Sequence, residues 1–166
     1  IEANDEIAEI ANRAGTMQGV PTGFTDVDKL FCGLRGGDLI ILAARPAVGK
    51  TSFAMNLATN AAKLGSTVAL FSLEMSSVQI TQRVLAAEAG MSLSRLRGGM
   101  LQDSDWSELV RVSAELSQFD LYVDDSPSLS IVELRTKARR MMRNKKQGLI
   151  IVDYLQLMQP VIPHPN

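Results

Sequence analysis

Apolar residues occupy every position of Leu39-Ile40-Ile41-Leu42-Ala43 and again of Leu149-Ile150-Ile151-Val152. A strand apolar at each position, rather than at alternate ones, has both faces covered, as strands of a parallel sheet do. Between these two runs the pattern switches repeatedly. It predicts a helix from Lys50 to Leu64 that ends at Gly65, then a strand from Thr67 to Ser72. A helix from about Ser77 to Ala89 stops at Gly90. A third helix runs from about Ser104 to Gln118 and buries Trp106, Leu109, Val110 and Leu116. Strand Leu121 to Val123 leads into a helix from Ser130 to about Lys145. Strands alternating with helices specify an α/β fold, a mostly parallel sheet with helices on both faces.

The first residues follow a different pattern. Asn4 or Asp5 can cap a short helix whose apolar positions are Ile7, Ile10, Ala11 and Ala14, with Gly15 placed to end it. Its far side is acidic, with Glu2, Glu6 and Glu9. So narrow a stripe suits either a peripheral helix on its own domain or an arm docked on a neighbour. Glycines and Pro21 punctuate residues 15–38, where a short helix around Thr25 to Phe31 is expected, capped by Thr25, with Asp26 and Asp28 in its first turn.

Composition narrows the function classes. At 166 residues and 46% hydrophobic, the chain can build one core. Its 17 basic and 18 acidic residues nearly cancel, so any nucleic-acid contact rests on local patches. The single cysteine, Cys32, excludes an internal disulfide and a cysteine metal cluster, and favours a reducing compartment. Cys32 is expected to pack beside Phe31 and Leu34. No apolar run approaches the ~20 residues of a membrane helix, and no basic-then-apolar leader opens the chain, so the expected location is cytoplasmic. The first residue is Ile rather than Met, and the chain stops soon after a strand-like run. A fragment of a longer protein is expected.

The chemistry sits beside the two apolar strands. Ala44-Arg45-Pro46-Ala47-Val48-Gly49-Lys50-Thr51 follows one of them and opens a helix, matching the G-x-x-x-x-G-K-[ST] phosphate loop except at its first position. Loop N–H groups, together with the positive end of the helix that continues through Ser52, surround phosphates. Gly49 allows close approach, Lys50 reaches the β and γ phosphates, and the Thr51 hydroxyl is a Mg2+ ligand. Ala44 in place of glycine is tolerable if its φ is negative. Asp153 ends the other strand, where ligands of open α/β sheets bind, and can hold Mg2+ through water or simply cap a turn. Glu74, just past Ser72, can be the base that accepts a proton from an attacking water, or a first-turn glutamate that favours a helix start.

These residues also carry a resemblance. Thr22-Gly23-Phe24-Thr25-Asp26-Val27-Asp28, Gly33-Leu34-Arg35-Gly36-Gly37-Asp38-Leu39, ARPAVGKT, FSLEMS at 71–76 and IIVDYLQLM at 150–158 resemble, in order, the ATPase domain of the bacterial replicative DNA helicases, the DnaB family. The likeness runs from about residue 15 to 160. It implies a RecA-like fold, hexameric rings around single-stranded DNA, and ATP hydrolysis coupled to 5′-to-3′ translocation. Primase and a helicase loader become the expected protein partners, and a nucleoid-associated location follows. Carried over, Lys50 and Thr51 hold phosphate and Mg2+, Glu74 is the catalytic base, Asp153 the Walker-B acid, and residues 1–15 a linker helix preceding an ATPase domain at 16–166. Gln156 falls within the family's Walker-B motif with no assigned role. The family's later strands, DNA-facing loops and arginine finger, and its N-terminal domain, have no counterpart here, so the isolated chain is expected to bind nucleotide but turn it over poorly.

Alternatives are another RecA-like ATPase of recombinase or clock type, a small P-loop kinase, and a nucleotide-binding assembly module. FSLEMS counts against a kinase, which needs no base for water, and DYLQLM fits recombinases less well. Arg135, Lys137, Arg139, Arg140, Arg143, Lys145 and Lys146 spread around a helix at about 100° per residue and read as a solvated or subunit-facing surface more readily than as a DNA stripe. Trp106 reads as a core anchor, the eight methionines as core filling, and His164 as neither ligand nor catalyst.

Overall fold

A computed structural model of the chain describes residues 17–145 and 147–160. The helix expected over residues 5–14, Lys146 and His164 lie outside them. Three strands, β1 (Thr67–Ser72), β2 (Leu121–Asp124) and β3 (Gly148–Asp153), form a parallel sheet in the order β2-β1-β3. The central strand β1 is buried along its whole length. Its side chains alternate between two cores, which is what a two-sided strand requires. Val68 packs with Ala58, Ala61 and Ala62 of helix α2 (Lys50–Lys63), and Leu70 with Met55 of α2 and Ile80 of α3 (Ser77–Glu88). Ala69 and Phe71 pack on the other face, against Leu134 and Ala138 of a helix at Ile131–Met141. Helices therefore cover both faces, as the alternation of patterns predicted.

Small residues set how closely α2 lies on the sheet. Its buried positions are Ala54, Met55, Ala58, Thr59, Ala61 and Ala62, so the helix backbone approaches the strands with little between them. The segment before α2 is fastened to it. Thr22 is fully buried, and both its N–H and its hydroxyl donate to Asp28 Oδ1 at 2.8 Å, while Gly23 N–H donates to Asp28 Oδ2 at 3.1 Å. Asp28 lies in α1 (Thr25–Phe31), which starts after Phe24 rather than being capped by Thr25. Asn60 of α2 donates to the Thr22 carbonyl, and Phe24 stacks on Phe53 with centroids 4.7 Å apart. Gly19 passes so close to Leu34 that a Cβ there would sit 2.3 Å from the Leu34 carbonyl oxygen.

Several expectations are corrected. The run Leu39–Ala43 is not a strand: it has no ladder among the described residues, and Leu39 and Ile41 are 87% and 80% exposed. Its composition is that of a strand covered on both faces, but no described element pairs with it or lies over it. Cys32 is exposed, not packed; it ends α1 in a left-handed turn (φ 54°), and its carbonyl accepts from Gln18 and Gly19. An unforeseen short helix, α4 (Leu93–Gly98), precedes α5 (Asp103–Leu116). In α5 the inward positions are taken by Leu109 and Val112. Trp106 and Val110 are 58% and 67% exposed and line an open apolar groove of about 670 Å³ shared with Leu85, Leu96 and Leu101. The methionines divide: Met55 is core, whereas Met17 and Met100 are exposed.

The basic helix, α6 (Ile131–Met141), is shorter than its pattern suggests because Asn144 turns left-handed (φ 62°) just beyond its end. One cation on it and one beyond it are structural. Lys145, past that turn, reaches Asp120 Oδ2 at 2.6 Å, and Lys137 bonds Asp124 Oδ2 at 2.7 Å, tying α6 to the end of β2. Burial raises the Asp124 pKa, but Lys137 and Ser126 outweigh it and hold the carboxyl below its usual range. Asp124 therefore stabilises the fold fully above the ordinary carboxylate value of ~3.9, and this contribution is lost as pH falls through the lower folded value. Lys137→Met should lower the stability measured by thermal denaturation at pH 7 by about 1–3 kcal/mol, with the gap narrowing below about pH 4. An unchanged midpoint at pH 7 would show that the pair does not hold α6.

Candidate nucleotide-binding site

The loop before α2 is open to solvent. Arg45, Pro46, Ala47 and Val48 are exposed, and Val48 N–H donates to the Arg45 carbonyl at 3.4 Å. Ala47 takes a left-handed φ of 64°, whereas Ala44 is not among the positive-φ residues, so its methyl is accommodated on the condition read from the sequence. Gly49 sits at φ 107°, a conformation that favours glycine, and is the N-cap of α2. No side chain caps this helix start; the first turn closes only with Phe53 N–H to the Gly49 carbonyl. The N-terminal amides of α2 and the positive end of its dipole thus face an exposed loop, an arrangement suited to an anion.

One carboxylate organises the residues behind the loop. Asp153, the last residue of β3, accepts from the Thr51 hydroxyl through Oδ2 at 2.7 Å and pairs with Lys50 Nζ through Oδ1 at 2.7 Å. Its side chain is 8% exposed and that of Lys50 29%, so both charges are largely withdrawn from water. The Lys50 ammonium also lies 4.8 Å from the centroid of the Tyr154 ring, whose face attracts a cation. Tyr154 falls within the motif IIVDYLQLM that carries the resemblance, but nothing in the sequence assigns its ring this contact.

Glu74 arrives from the neighbouring strand. Ser72 is in register with Asp153, and Leu73 N–H donates to the Asp153 carbonyl at 2.8 Å, so the residues following β1 lie alongside the end of β3. Glu74 is exposed and makes no hydrogen bond or ion pair among the described residues. It is not a first-turn residue of α3, whose N-cap is Ser76 in a capping box with Gln79. Gln156 is exposed in a 3-10 turn at Leu155–Leu157. Ser52, exposed on α2, borders a cleft of about 250 Å³ with Asn56 and Arg83. Arg83 Nε is buried and has no hydrogen-bond partner among the described residues. The only signal for it is that a single arginine interrupts an otherwise uncharged run from Ser76 to Ala87.

The oxygens present suit Mg2+. Thr51 and Asp153 are hard donors within hydrogen-bond reach of each other, and no group of three His, Cys, Asp or Glu exists among the described residues. Mg2+ is typically held by one or two carboxylates plus phosphate oxygens and water, whereas a dedicated protein cage needs more ligands. A parallel α/β sheet with this loop at the start of a helix and an acid at the end of a neighbouring strand defines a phosphate-loop nucleotide-binding domain.

Comparison with known proteins identifies the kind. The family model for the DnaB-like helicase C-terminal domain matches residues 19–165, and the chain belongs to that family. It is 44% identical over 160 residues to the replicative DNA helicase DnaC of Bacillus subtilis (strain 168), and likewise to the replicative DNA helicase DnaB of Geobacillus stearothermophilus. Each alignment covers 96% of this chain but 35% of the relative, so the chain spans about a third of the length of these proteins. Its structure is similar to a DnaB-like replicative helicase solved in a study of its interactions with primase (TM-score 0.91, 28% identity, 99% of this chain and 41% of that one). It is also similar to a second solved structure, that of an ATPase domain (TM-score 0.90, 28% identity, 99% and 60%). The fold is RecA-like.

A phosphate reaching Lys50 has to displace the Asp153 carboxylate from it. Asp153→Asn removes that competition, so a fluorescent ADP analogue in the absence of Mg2+ should bind more tightly, on the order of tenfold, with little further gain on adding Mg2+. Weaker Mg2+-free binding by Asp153→Asn would contradict this reading of the ion pair.

Proposed function

We propose that this chain is the nucleotide-binding part of a replicative DNA helicase motor that hydrolyses ATP to move 5′-to-3′ on single-stranded DNA and open duplex at the replication fork. The observation that carries the proposal is the joint of Lys50, Thr51 and Asp153 behind an uncapped phosphate loop, in a chain of the DnaB-like family. The amides from Ala44 to Ser52 cradle the phosphates of ATP, and Lys50 offsets their charge. Thr51 and Asp153 hold the Mg2+ that accompanies the nucleotide and supplies a positive centre for the phosphate oxygens. Glu74 takes the proton of the attacking water.

The reading extends to assembly. A homo-hexamer shares its active sites between subunits, so that Glu74 and Asp153 face a cation contributed by a neighbour. The exposed Leu39 and Ile41 are covered by further chain of the longer protein, in the manner their composition anticipates. Residues 1–15 form a linker helix ahead of the ATPase domain at 16–166. Primase and a helicase loader are the partners of the whole protein. Among the described residues no helix is long and apolar enough to cross a membrane. The setting proposed for the motor is the cytoplasm, associated with the nucleoid.

DNA-stimulated ATPase activity of the full-length protein tests the motor. Glu74→Gln should lower turnover by roughly a hundredfold or more while leaving nucleotide binding intact, consistent with loss of a general base. Equal rates for wild type and variant would remove the motor reading. The 166-residue chain alone is expected to bind nucleotide and to turn it over far more slowly than the whole protein. Full turnover by the chain alone would contradict the shared site.

A further inference from the structure

Glu74 carries the proposed proton transfer, yet its own carboxylate is anchored by nothing among the described residues, so its position depends on the backbone that presents it. That backbone is closed by one side chain. Ser72, the last residue of β1, is 4% exposed, and its hydroxyl makes two hydrogen bonds across the turn. It donates to the Met75 carbonyl at 2.8 Å and accepts from Met75 N–H at 3.1 Å. Leu73 and Glu74 are the two residues enclosed. On one side of this bracket, Leu73 N–H is fixed to the Asp153 carbonyl; on the other, Ser76 starts α3, and Ser77 N–H is held by Asp125 Oδ2 at 2.6 Å. The turn is therefore tied at both ends and braced across its middle by Ser72.

We infer that Ser72 is a positioning residue for the reaction: its hydroxyl fixes the Leu73-Glu74 turn and so sets where Glu74 is presented just past the end of β1. Both hydrogen bonds of the Ser72 hydroxyl go to the Met75 backbone, so its effect passes through Glu74, and the inference rests on the reading of Glu74 as the base. Two consequences separate it from a merely structural serine. Loss of the bracket affects the step that needs Glu74 and not the grip on nucleotide, which belongs to Lys50 and Thr51. In a protein that lacks the base, it has nothing left to affect.

The experiment is steady-state DNA-stimulated ATPase, together with fluorescent-nucleotide affinity, on the full-length protein as wild type, Ser72→Ala, Glu74→Gln and the double variant. Ser72→Ala should lower kcat by roughly ten- to a hundredfold, the scale of misplacing a reacting group by about an ångström, with KM and nucleotide affinity within about twofold of wild type. The double variant should turn over at the rate of Glu74→Gln alone. Ser72→Cys keeps the shape but offers only a weak donor and acceptor, so it should fall between wild type and Ser72→Ala, and it carries the test if the alanine variant melts early. Wild-type kcat in both Ser72 variants, or a parallel loss of nucleotide affinity, overturns the positioning role. Wild-type turnover by Glu74→Gln is a different failure: it removes the base itself and the inference with it.

Discussion

The ammonium of Lys50 and the hydroxyl of Thr51 are adjacent in sequence, and both converge on the carboxylate of Asp153, 102 residues further along. A carboxylate so far withdrawn from water is costly unless its oxygens are occupied, and here each oxygen has its own donor. The arrangement fastens the start of α2 to the end of β3. Much else follows from that joint. The alanine-rich face of α2 must lie close on β1 for Lys50 and Thr51 to reach the acid, and the parallel register that sets Ser72 opposite Asp153 brings Glu74 to the same edge.

In the site we propose, the same joint is also what nucleotide acts on. Lys50 pairs with a carboxylate that phosphate would replace, and the Thr51 hydroxyl is engaged by the acid that would share a metal with it. Mg2+ and nucleotide together would exchange one ion pair and one hydrogen bond for contacts to phosphate and metal. Nucleotide without the metal would break the ion pair with no charge to offset the freed carboxylate.

The amino-acid sequence disclosed this site more fully than the fold around it. Gly49-Lys50-Thr51 at the start of a helix, and Asp153 after four apolar residues, are local signals: each needs only neighbouring residues to be meaningful, and the strand β3 and helix α2 formed where the pattern placed them. What escaped depends on contacts between distant segments. Sequence marks Thr22 only as part of a resemblance and Asp28 only as a first-turn acid, whereas in the structure their hydrogen bonds brace the chain that leads to α2. Trp106 and Val110 were assigned to the core because they are large and apolar, but Leu109 and Val112, about 100° away on the same helix, hold that face. The run Leu39–Ala43 reads as a strand covered on both faces, and its neighbours do not lie among the described residues. Nothing local says that the Ser72 hydroxyl closes a turn around the following glutamate.

The most direct measurement is a structure of the full-length protein with a non-hydrolysable ATP analogue and Mg2+. The account predicts phosphate oxygens against the amides of residues 49–51, Lys50 Nζ moved from Asp153 onto those oxygens, and Thr51 and Asp153 both facing the metal. Phosphates bound elsewhere, or Lys50 still paired with Asp153 in the nucleotide complex, would contradict it.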